Sequence, residues 1–277
     1  MLVTSRRKFL GSAVAMGLCS RIGIASERKL RIGVTDWCLN LVANPDAVRL
    51  AANLGFDGIQ ISFGRELVDG KLPTDNPEVI STYLSLSRKY RIRIDGTSLD
   101  QRHPLDQKWV LDSIRLTKAL GATVLELPFF GPSLIKTKDE MEYAGDVLRD
   151  LAPEAAKAGV VLGLENTLSA EDNARIIERS QSKSVQVYYD VGNSTAAGFN
   201  PVREIRWLGR DRICQFHFKD DPHYLGAGKI QFGPILQAIR DINFFGYANL
   251  ETNSPSGRLE PDMHRNLKYI RKVMGQP

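Results

Sequence analysis

Four short apolar runs in the second half of this sequence each end in a side chain that can bind a metal ion. The four end residues are Glu165, Asp190, His217 and Glu251. They follow one another at intervals of 25, 27 and 34 residues, each long enough for one helix and a return to the next strand. Four such strand ends can meet at one point only if the strands are parallel and close into a barrel. The pattern therefore predicts a closed α/β barrel with one polar centre at the carboxyl ends of its strands.

The same alternation of short strands and helices runs through the chain from residue 29 to its end. Four glycines, Gly55, Gly121, Gly159 and Gly246, stand where a helix ends and a strand begins, which is the place for a left-handed closing residue. We count eight strands and eight helices, with no linker between them, and predict a single-domain (β/α)₈ TIM barrel over residues 26–277. The alternative is an open doubly wound sheet, but its Gly-x-Gly-x-x-Gly turn after the first strand is missing.

The first 25 residues differ from the rest of the chain. Arg6 and Arg7 precede a mild apolar run, and no acidic residue occurs before Glu27. These features are typical of a signal peptide of the twin-arginine type, and the run is too short to span a bilayer. We predict a signal peptide over 1–25, a periplasmic or exported domain over 26–277, and no stable membrane insertion after signal removal. The alternative is a short amphipathic helix that covers the bottom of the barrel.

Removal of this segment changes the charge of the protein. The full sequence has a formal net charge of +5, and residues 1–25 contain four basic and no acidic side chains. Subtracting these four charges leaves +1 for the mature domain. A nearly neutral domain lacks the basic surface that nucleic-acid binding requires, so we expect no nucleic-acid partner. The sequence leaves the oligomeric state open, and a homo-oligomer is one alternative.

The residues two positions before the four strand ends support a binding centre. They are Gly163, Tyr188, Gln215 and Asn249. Side chains alternate across a strand, so these residues also point into the barrel, where amide and hydroxyl groups can orient metal ligands. The alternative is four unrelated polar groups at the solvent edge. Three carboxylates at short range would repel one another, however, unless a cation neutralised them.

We therefore predict one divalent metal ion bound by Glu165, Asp190, His217 and Glu251. Carboxylate oxygens together with a single imidazole nitrogen suit hard or borderline divalent cations. Mn²⁺ is the first expectation for this donor set, with Mg²⁺, Co²⁺ and Zn²⁺ as alternatives.

Five segments also carry a resemblance to a known family. They are Leu164-Glu-Asn166, Tyr188-Tyr-Asp-Val-Gly-Asn193, His217-Phe-Lys-Asp220, Leu225-Gly-Ala-Gly228 and Leu250-Glu251. With them the chain resembles the sugar phosphate isomerase/epimerase group of xylose-isomerase-like TIM barrels, which includes the ketose 3-epimerases. The resemblance covers nearly all of the mature domain. It implies that the four strand-end residues bind one metal ion, that Glu165 and Glu251 transfer protons, and that Glu171 contacts the substrate.

Three positions depart from the ketose 3-epimerases and leave the identity of the substrate open. Asn193 stands where those enzymes often have histidine, and His223 stands where they have an arginine. Lys229 lies in a glycine-rich loop from which the usual acid is missing. We expect Asn193 and His223 to contact the substrate even so.

Further site residues are predicted from their positions after strands. Trp37 can stack on a sugar, with core packing as the alternative. Lys219 can bind a substrate oxygen, with a solvated ion pair to Asp220 as the alternative. His103 can line the pocket, with an ordinary surface position as the alternative. Glu126 ends the fourth strand and is a weaker candidate, for which an ion pair with a helix is the alternative.

The resemblance implies a metal-dependent epimerase or isomerase that acts on a keto sugar, and the predicted signal peptide implies that it is exported. A carbohydrate is therefore the expected partner. A first alternative keeps the centre but eliminates a group from the substrate, as a dehydratase or lyase does. A nuclease related to apurinic endonucleases is a second, although such enzymes use many histidines and this chain has four. A sugar-binding protein without activity is the third.

Overall fold

A computed structural model of the protein describes residues 29–276, and the predicted signal peptide lies outside the described residues. Eight parallel strands close into a barrel in sequence order, with the last strand paired to the first. The strands are β1 (Arg31–Thr35), β2 (Gly58–Ser62), β3 (Arg93–Ser98), β4 (Val124–Pro128), β5 (Val161–Glu165), β6 (Val185–Asp190), β7 (Ile213–Phe218) and β8 (Tyr247–Leu250). The predicted (β/α)₈ barrel is confirmed.

Nine α-helices lie within residues 29–276. They are α1 (Asp46–Leu54), α2 (Pro77–Tyr90), α3 (Gln107–Ala119), α4 (Lys138–Ala158), α5 (Ala170–Ser180), α6 (Val191–Ala196), α7 (Pro201–Leu208), α8 (Phe232–Asp241) and α9 (Leu259–Met274). The short helix α6 was not predicted, because Gly192 indicated a loop directly after β6. Within the same range, every helix is too short or too polar to cross a membrane.

Several helices end as the glycine pattern predicted, and one does not. Gly55, Gly121 and Gly159 all have positive φ angles and turn the chain back towards the barrel. At the end of α8, however, Asn243 takes the left-handed conformation with φ at 53°, and Gly246 does not. Asparagine tolerates this region better than most residues, so it closes the helix before the glycine is reached. The predicted role of Gly246 is therefore wrong.

An apolar layer joins the barrel to its helices. Leu164, Phe216 and Leu250 face this layer and are fully buried, as strand alternation predicts. Tyr189 faces it as well, and its hydroxyl donates a hydrogen bond to Glu204 of α7 over 2.7 Å. Full burial of one large apolar side chain contributes roughly 1.5–3 kcal/mol, so this layer holds the strand ends in register.

The inside of the barrel is polar. Tyr188, Gln215 and Asn249 point inward as predicted, and each is at most 3% exposed. A Cβ atom at Gly33 would lie 1.9 Å from Asn249 Oδ1, so a glycine is required there to admit the amide. Polar groups thus fill the space where a barrel without a binding centre carries branched apolar side chains.

Candidate metal centre and active site

Four side chains meet at the carboxyl end of the barrel. Glu165 ends β5, Asp190 ends β6, His217 lies in β7 and Glu251 follows β8. Each offers one ligand atom, and the four atoms lie within 4.8 Å of one another. His217 Nδ1 is 3.3 Å from Glu165 Oε1, 3.5 Å from Glu251 Oε2 and 3.8 Å from Asp190 Oδ2. Three of the residues are buried, whereas the Glu251 side chain is 21% exposed and opens the centre to a pocket.

Asp190 uses its two carboxylate oxygens differently. Oδ1 accepts a hydrogen bond from the backbone N–H of Asn193 over 2.8 Å and so caps α6. Oδ2 is buried and accepts no hydrogen bond, although the Lys219 ammonium lies 2.9 Å away. Burial of such an oxygen is costly unless a cation binds it. This oxygen, two more carboxylates and an imidazole nitrogen fit a divalent metal ion.

A hydrogen-bond network beneath the centre orients His217. Its Nε2 lies 2.7 Å from Gln60 Oε1, and the Tyr188 hydroxyl donates to the same oxygen over 3.0 Å. That hydroxyl in turn accepts a hydrogen bond from Asn249 Nδ2. An amide oxygen only accepts, so Nε2 of the neutral ring must carry the proton. In that neutral form Nδ1 turns its lone pair towards the three carboxylates, as a metal ligand needs, whereas in the protonated ring Nδ1 donates to Glu165 Oε1.

Glu126, at the end of β4, is a fifth acidic side chain beside the centre. It is buried, accepts a hydrogen bond from Gln60, and lies 3.9 Å from His217 Nε2. Burial and the negative charge of Glu165 raise the pKa of Glu126 well above its usual range. The alternative of an ion pair with a helix is wrong, because Glu126 points into the barrel mouth and lines the pocket.

A bulge in β3 adds Asp95 to the interior. The pairing of β2 with β3 shifts between Ile59 and Gln60, which leaves Asp95 as an extra residue in β3. Its Oδ1 accepts a hydrogen bond from Asn249 Nδ2 over 2.9 Å, and its Oδ2 is buried without a partner. Burial raises the pKa of Asp95 from 3.8 to about 7. A buried carboxyl group thus lies below the four side chains that could hold a metal ion.

Lys219 lies at the centre, and the alternative of a solvated ion pair with Asp220 is wrong. Its Nζ is 2.7 Å from Glu251 Oε2 and 2.9 Å from Asp190 Oδ2. Burial disfavours the charged form, but these two carboxylates outweigh it and raise the pKa of Lys219 above its usual range. Asp220 instead accepts backbone hydrogen bonds from four residues of the loop after β7. They are Gly226, Gly228, Lys229 and Ile230.

The ionisable groups of the centre are shifted in opposite directions. Burial raises the pKa of Asp190 to about 8, with Lys219 acting against it. Burial also acts to raise the pKa of Glu165, but the charge of His217 and its hydrogen bond outweigh it and lower the pKa to about 2. Burial alone would lower the pKa of His217, whereas the charges of Glu251 and Glu165 raise it above its usual value. Glu165 is therefore an ionised carboxylate at neutral pH.

A pocket of about 260 Å³ opens above the centre. Its lining includes Trp37, Ser62, Arg65, Ser98, Asp100, Gln101, Phe130 and Asn193. Trp37 Nε1 donates a hydrogen bond to Glu251 Oε1 over 3.1 Å, and Asn193 Nδ2 donates one to Glu165 Oε1 over 2.9 Å. Sites for drug-sized ligands span roughly 300–1,000 Å³, so this pocket suits a smaller, polar molecule.

Comparison with known proteins places the fold and its centre in a family. A family model described as xylose isomerase-like TIM barrel matches residues 48–273. The chain belongs to the xylose isomerase-like TIM barrel family. It is similar to a 2-epi-5-epi-valiolone 7-phosphate 2-epimerase from Actinoplanes sp., with 28% identity over 76% of this chain and 82% of that protein.

Two solved structures share the fold of this xylose isomerase-like chain. The D-psicose 3-epimerase of Clostridium cellulolyticum H10 has a TM-score of 0.74 and 16% identity, over 88% of this chain and 99% of that chain. The 3-keto-D-glucoside 4-epimerase of E. coli has a TM-score of 0.72 and 18% identity, over 88% of this chain and 100% of that chain. The barrel is thus shared along almost the whole length of both proteins.

Within this xylose isomerase-like barrel, the predicted site residues separate into two groups. Trp37, Asn193 and Lys219 line the pocket together with Glu165 and Glu251. The structure does not bring the other three predicted substrate contacts to it. Glu171 lies on α5 with its side chain 43% exposed and 3.7 Å from Arg203, His223 is exposed on the loop after β7, and His103 stacks on Trp109 at 4.0 Å.

Two residues of this family member's site were not predicted from the sequence. Gln60 occupies the middle of β2 between Ile59 and Ile61, and a buried amide inside an apolar strand was the available signal. Asp95 gave no usable signal, because the bulge in β3 breaks the alternation by which inward positions are recognised. Both residues support the centre from below.

Proposed function

We propose that this chain is a divalent-metal-dependent epimerase or isomerase that acts on a keto sugar. The observation that carries the proposal is the convergence of three carboxylates and one imidazole at the floor of a small polar pocket. The three similar proteins described above are all named as epimerases, which supports this reaction class.

Glu165, Asp190, His217 and Glu251 are the proposed metal ligands. A bound divalent ion supplies Lewis-acid stabilisation of negative charge on a substrate oxygen. Mn²⁺ is the proposed ion, and Mg²⁺, Co²⁺ and Zn²⁺ are the alternatives that the same donor set accepts. Gln60 orients His217, and the cap of α6 holds Asp190, so both ligands are kept in place by neighbouring groups.

Glu165 and Glu251 are the proposed proton carriers. They belong to β5 and to the end of β8, so they reach a substrate carbon from different sides of the pocket. One takes the proton beside the carbonyl group, and the other returns a proton to the opposite face, which inverts that carbon. Return of the proton to the neighbouring carbon gives isomerisation instead. Glu165 is in the ionised form that a base requires at neutral pH, because His217 outweighs burial and lowers its pKa to about 2.

Trp37, Asn193 and Lys219 are the proposed substrate contacts within the pocket. Trp37 presents an indole ring to a sugar, and Asn193 presents an amide beside Glu165. The Lys219 ammonium can offset negative charge that develops on a substrate oxygen. Glu171, His223 and His103 are proposed to act only on a substrate that extends beyond the pocket.

A dehydratase or lyase reaction is the second candidate, and Glu126 is the observation that favours it. Burial and the charge of Glu165 raise the pKa of this carboxyl group well above its usual range, and the group lines the pocket. A neutral acid in that position can protonate a leaving hydroxyl after the first proton transfer. A zinc-cluster nuclease is not proposed, because His217 is the only histidine in the four-residue centre that the described residues form.

We further propose that the enzyme is exported through the twin-arginine pathway and acts in the periplasm. The paired Arg6 and Arg7 and the absence of acidic residues before Glu27 support this. N-terminal sequencing of protein purified from a periplasmic fraction tests it. A start near residue 26 is expected, and an uncleaved chain found only in the cytoplasm contradicts it.

The test of the reaction is incubation of the Mn²⁺-loaded protein with a panel of keto sugars in D₂O. We expect deuterium at a carbon beside the carbonyl group of an intact sugar, detected by NMR. Glu165→Gln and Glu251→Gln should each lower the exchange rate at least about 100-fold, as loss of a general base does. The exposed Glu154→Gln on α4 is the matched control and should keep full activity.

The outcome also separates the two candidate reactions. Loss of water or of a larger leaving group from the sugar supports the dehydratase or lyase. Absence of deuterium exchange in every sugar with the loaded wild-type protein contradicts both.

A further inference from the structure

The backbone conformation of Gly192, in α6, does not require a glycine. Its φ angle lies outside the left-handed region, and glycine inside a helix costs about 1 kcal/mol relative to alanine. A Cβ atom at this position would lie 2.4 Å from Cγ and 3.2 Å from Cδ of Lys219. The missing side chain therefore leaves a passage that the aliphatic part of Lys219 fills.

Through this passage, Lys219 reaches two of the four ligand atoms. Its Nζ contacts Glu251 Oε2 at 2.7 Å and Asp190 Oδ2 at 2.9 Å. These are the oxygens that face His217 Nδ1 at 3.5 Å and 3.8 Å. The lysine side chain is only 17% exposed, so solvent screens these ion pairs less than it screens pairs at the surface.

We propose that the Lys219 ammonium competes with the metal ion for the same carboxylate oxygens, and that the absence of a side chain at Gly192 makes room for the lysine. The ammonium and a divalent cation are drawn to the same two oxygens and repel each other, so each weakens the binding of the other. This inference rests on the proposed metal centre and adds its regulation. Lys219 offsets part of the negative charge of the carboxylates in the metal-free protein and thereby sets how tightly, and how reversibly, the metal ion binds.

The competition weakens metal binding without abolishing it. When all three are ionised, the carboxylates carry three negative charges, whereas one ammonium supplies a single positive charge. A centre that holds only Lys219 remains negative and attracts a divalent cation. Both cations together balance the three carboxylates, so the lysine need not leave the pocket when the metal ion enters.

The test is calorimetric titration of Mn²⁺ into metal-free wild-type protein and variants. Lys219→Met keeps most of the side-chain length and removes the charge. We expect Lys219→Met to bind Mn²⁺ at least tenfold more tightly than the wild type. Without metal it should melt at a lower temperature, because its carboxylates have lost their counter-charge.

Gly192→Ala provides a second variant, whose added Cβ atom would also lie 3.2 Å from Asp190 Oδ1. It keeps the lysine but fills the passage, so it should also tighten Mn²⁺ binding. The double variant should bind no more tightly than Lys219→Met alone, because both changes remove the same contact. Lys108→Met, with a side chain that is 77% exposed on α3, is the matched control and should leave the affinity unchanged.

Unchanged or weaker Mn²⁺ binding by folded Lys219→Met overturns the inference and leaves the proposed function standing. Failure of the wild-type protein to bind any divalent ion overturns both. The two failures are therefore distinguishable within one set of titrations.

Discussion

At the scale of single residues, the interior below the metal centre contains oxygens that lack donors. Asp95 Oδ2 and Asn249 Oδ1 are both buried without a hydrogen bond. Both border the space beside Gly33, where a Cβ atom would lie 2.7 Å from the first and 1.9 Å from the second. An ionised carboxylate is unfavourable in such a place, because Asp95 Oδ2 has no donor that compensates for the lost water. The protonated form of Asp95 is thus favoured by its surroundings.

This arrangement predicts a pH-dependent effect of Asp95→Asn. The folded protein keeps the Asp95 proton up to a pKa of about 7, whereas the unfolded chain loses it near the ordinary aspartate pKa of 3.8. Wild-type stability should therefore fall as pH rises from about 4 to about 7, and the variant should escape this loss. Urea denaturation from pH 5 to pH 8 measures the free energy of unfolding of both proteins. The variant should become more stable than the wild type by a margin that grows up to neutral pH. The gain between pH 5 and neutrality should be about 3 kcal/mol, because about two pKa units at about 1.4 kcal/mol each separate pH 5 from the folded pKa of about 7.

The control for this prediction is Asp211→Asn, on an exposed side chain before β7. Its unfolding free energy should follow that of the wild type across the pH range. If the difference between Asp95→Asn and the wild type does not change with pH, Asp95 is not protonated in the folded protein.

The positions of the proposed metal ligands could be predicted from the sequence, whereas the side chains that contact them could not. Glu165, Asp190 and His217 end or nearly end apolar strands, and the strand period of two residues gives the face on which each lies. The strand period does not determine which neighbouring group a long side chain contacts. Lys219 and Asp220 are adjacent in sequence, yet one contacts the centre and the other holds a loop. That choice depends on the passage beside Gly192, which is a property of the packed structure.

At the scale of elements, strands place the ligands while caps and loops hold them. The helix α6 begins directly after β6, and Asp190 caps it with one oxygen while the other faces the centre. The loop after β7 is organised around the buried Asp220, which accepts backbone hydrogen bonds from four of its residues. Helices and strands follow from periodicity, whereas a six-residue helix opened by a metal-type side chain gives no periodic signal.

The Asp220 arrangement predicts a large effect of Asp220→Ala. Removal of the carboxylate leaves backbone N–H groups of a partly buried loop without their acceptor. We expect a loss of about 2–4 kcal/mol in the free energy of unfolding, measured by urea denaturation. Asp211→Ala, on the exposed loop before β7, should change it by less than about 0.5 kcal/mol. Equal effects of the two substitutions would contradict the proposed role of Asp220.

At the scale of the whole molecule, closure of the barrel brings distant parts of the chain to one point. Residues 165 and 251 are separated by three strands and the helices between them, yet their carboxylates face the same imidazole. The eight repeating units made this closure predictable, because four parallel strand ends cannot converge on an open sheet. The substrate contacts were harder to predict, since three of the residues expected to make them lie away from the pocket.

The most direct measurement is the anomalous scattering of Mn²⁺ in crystals of the protein grown with that ion. The account predicts one strong peak per chain, coordinated by Glu165, Asp190, His217 and Glu251. A well-ordered centre with no peak among these four residues, or a peak held by other side chains, would contradict it.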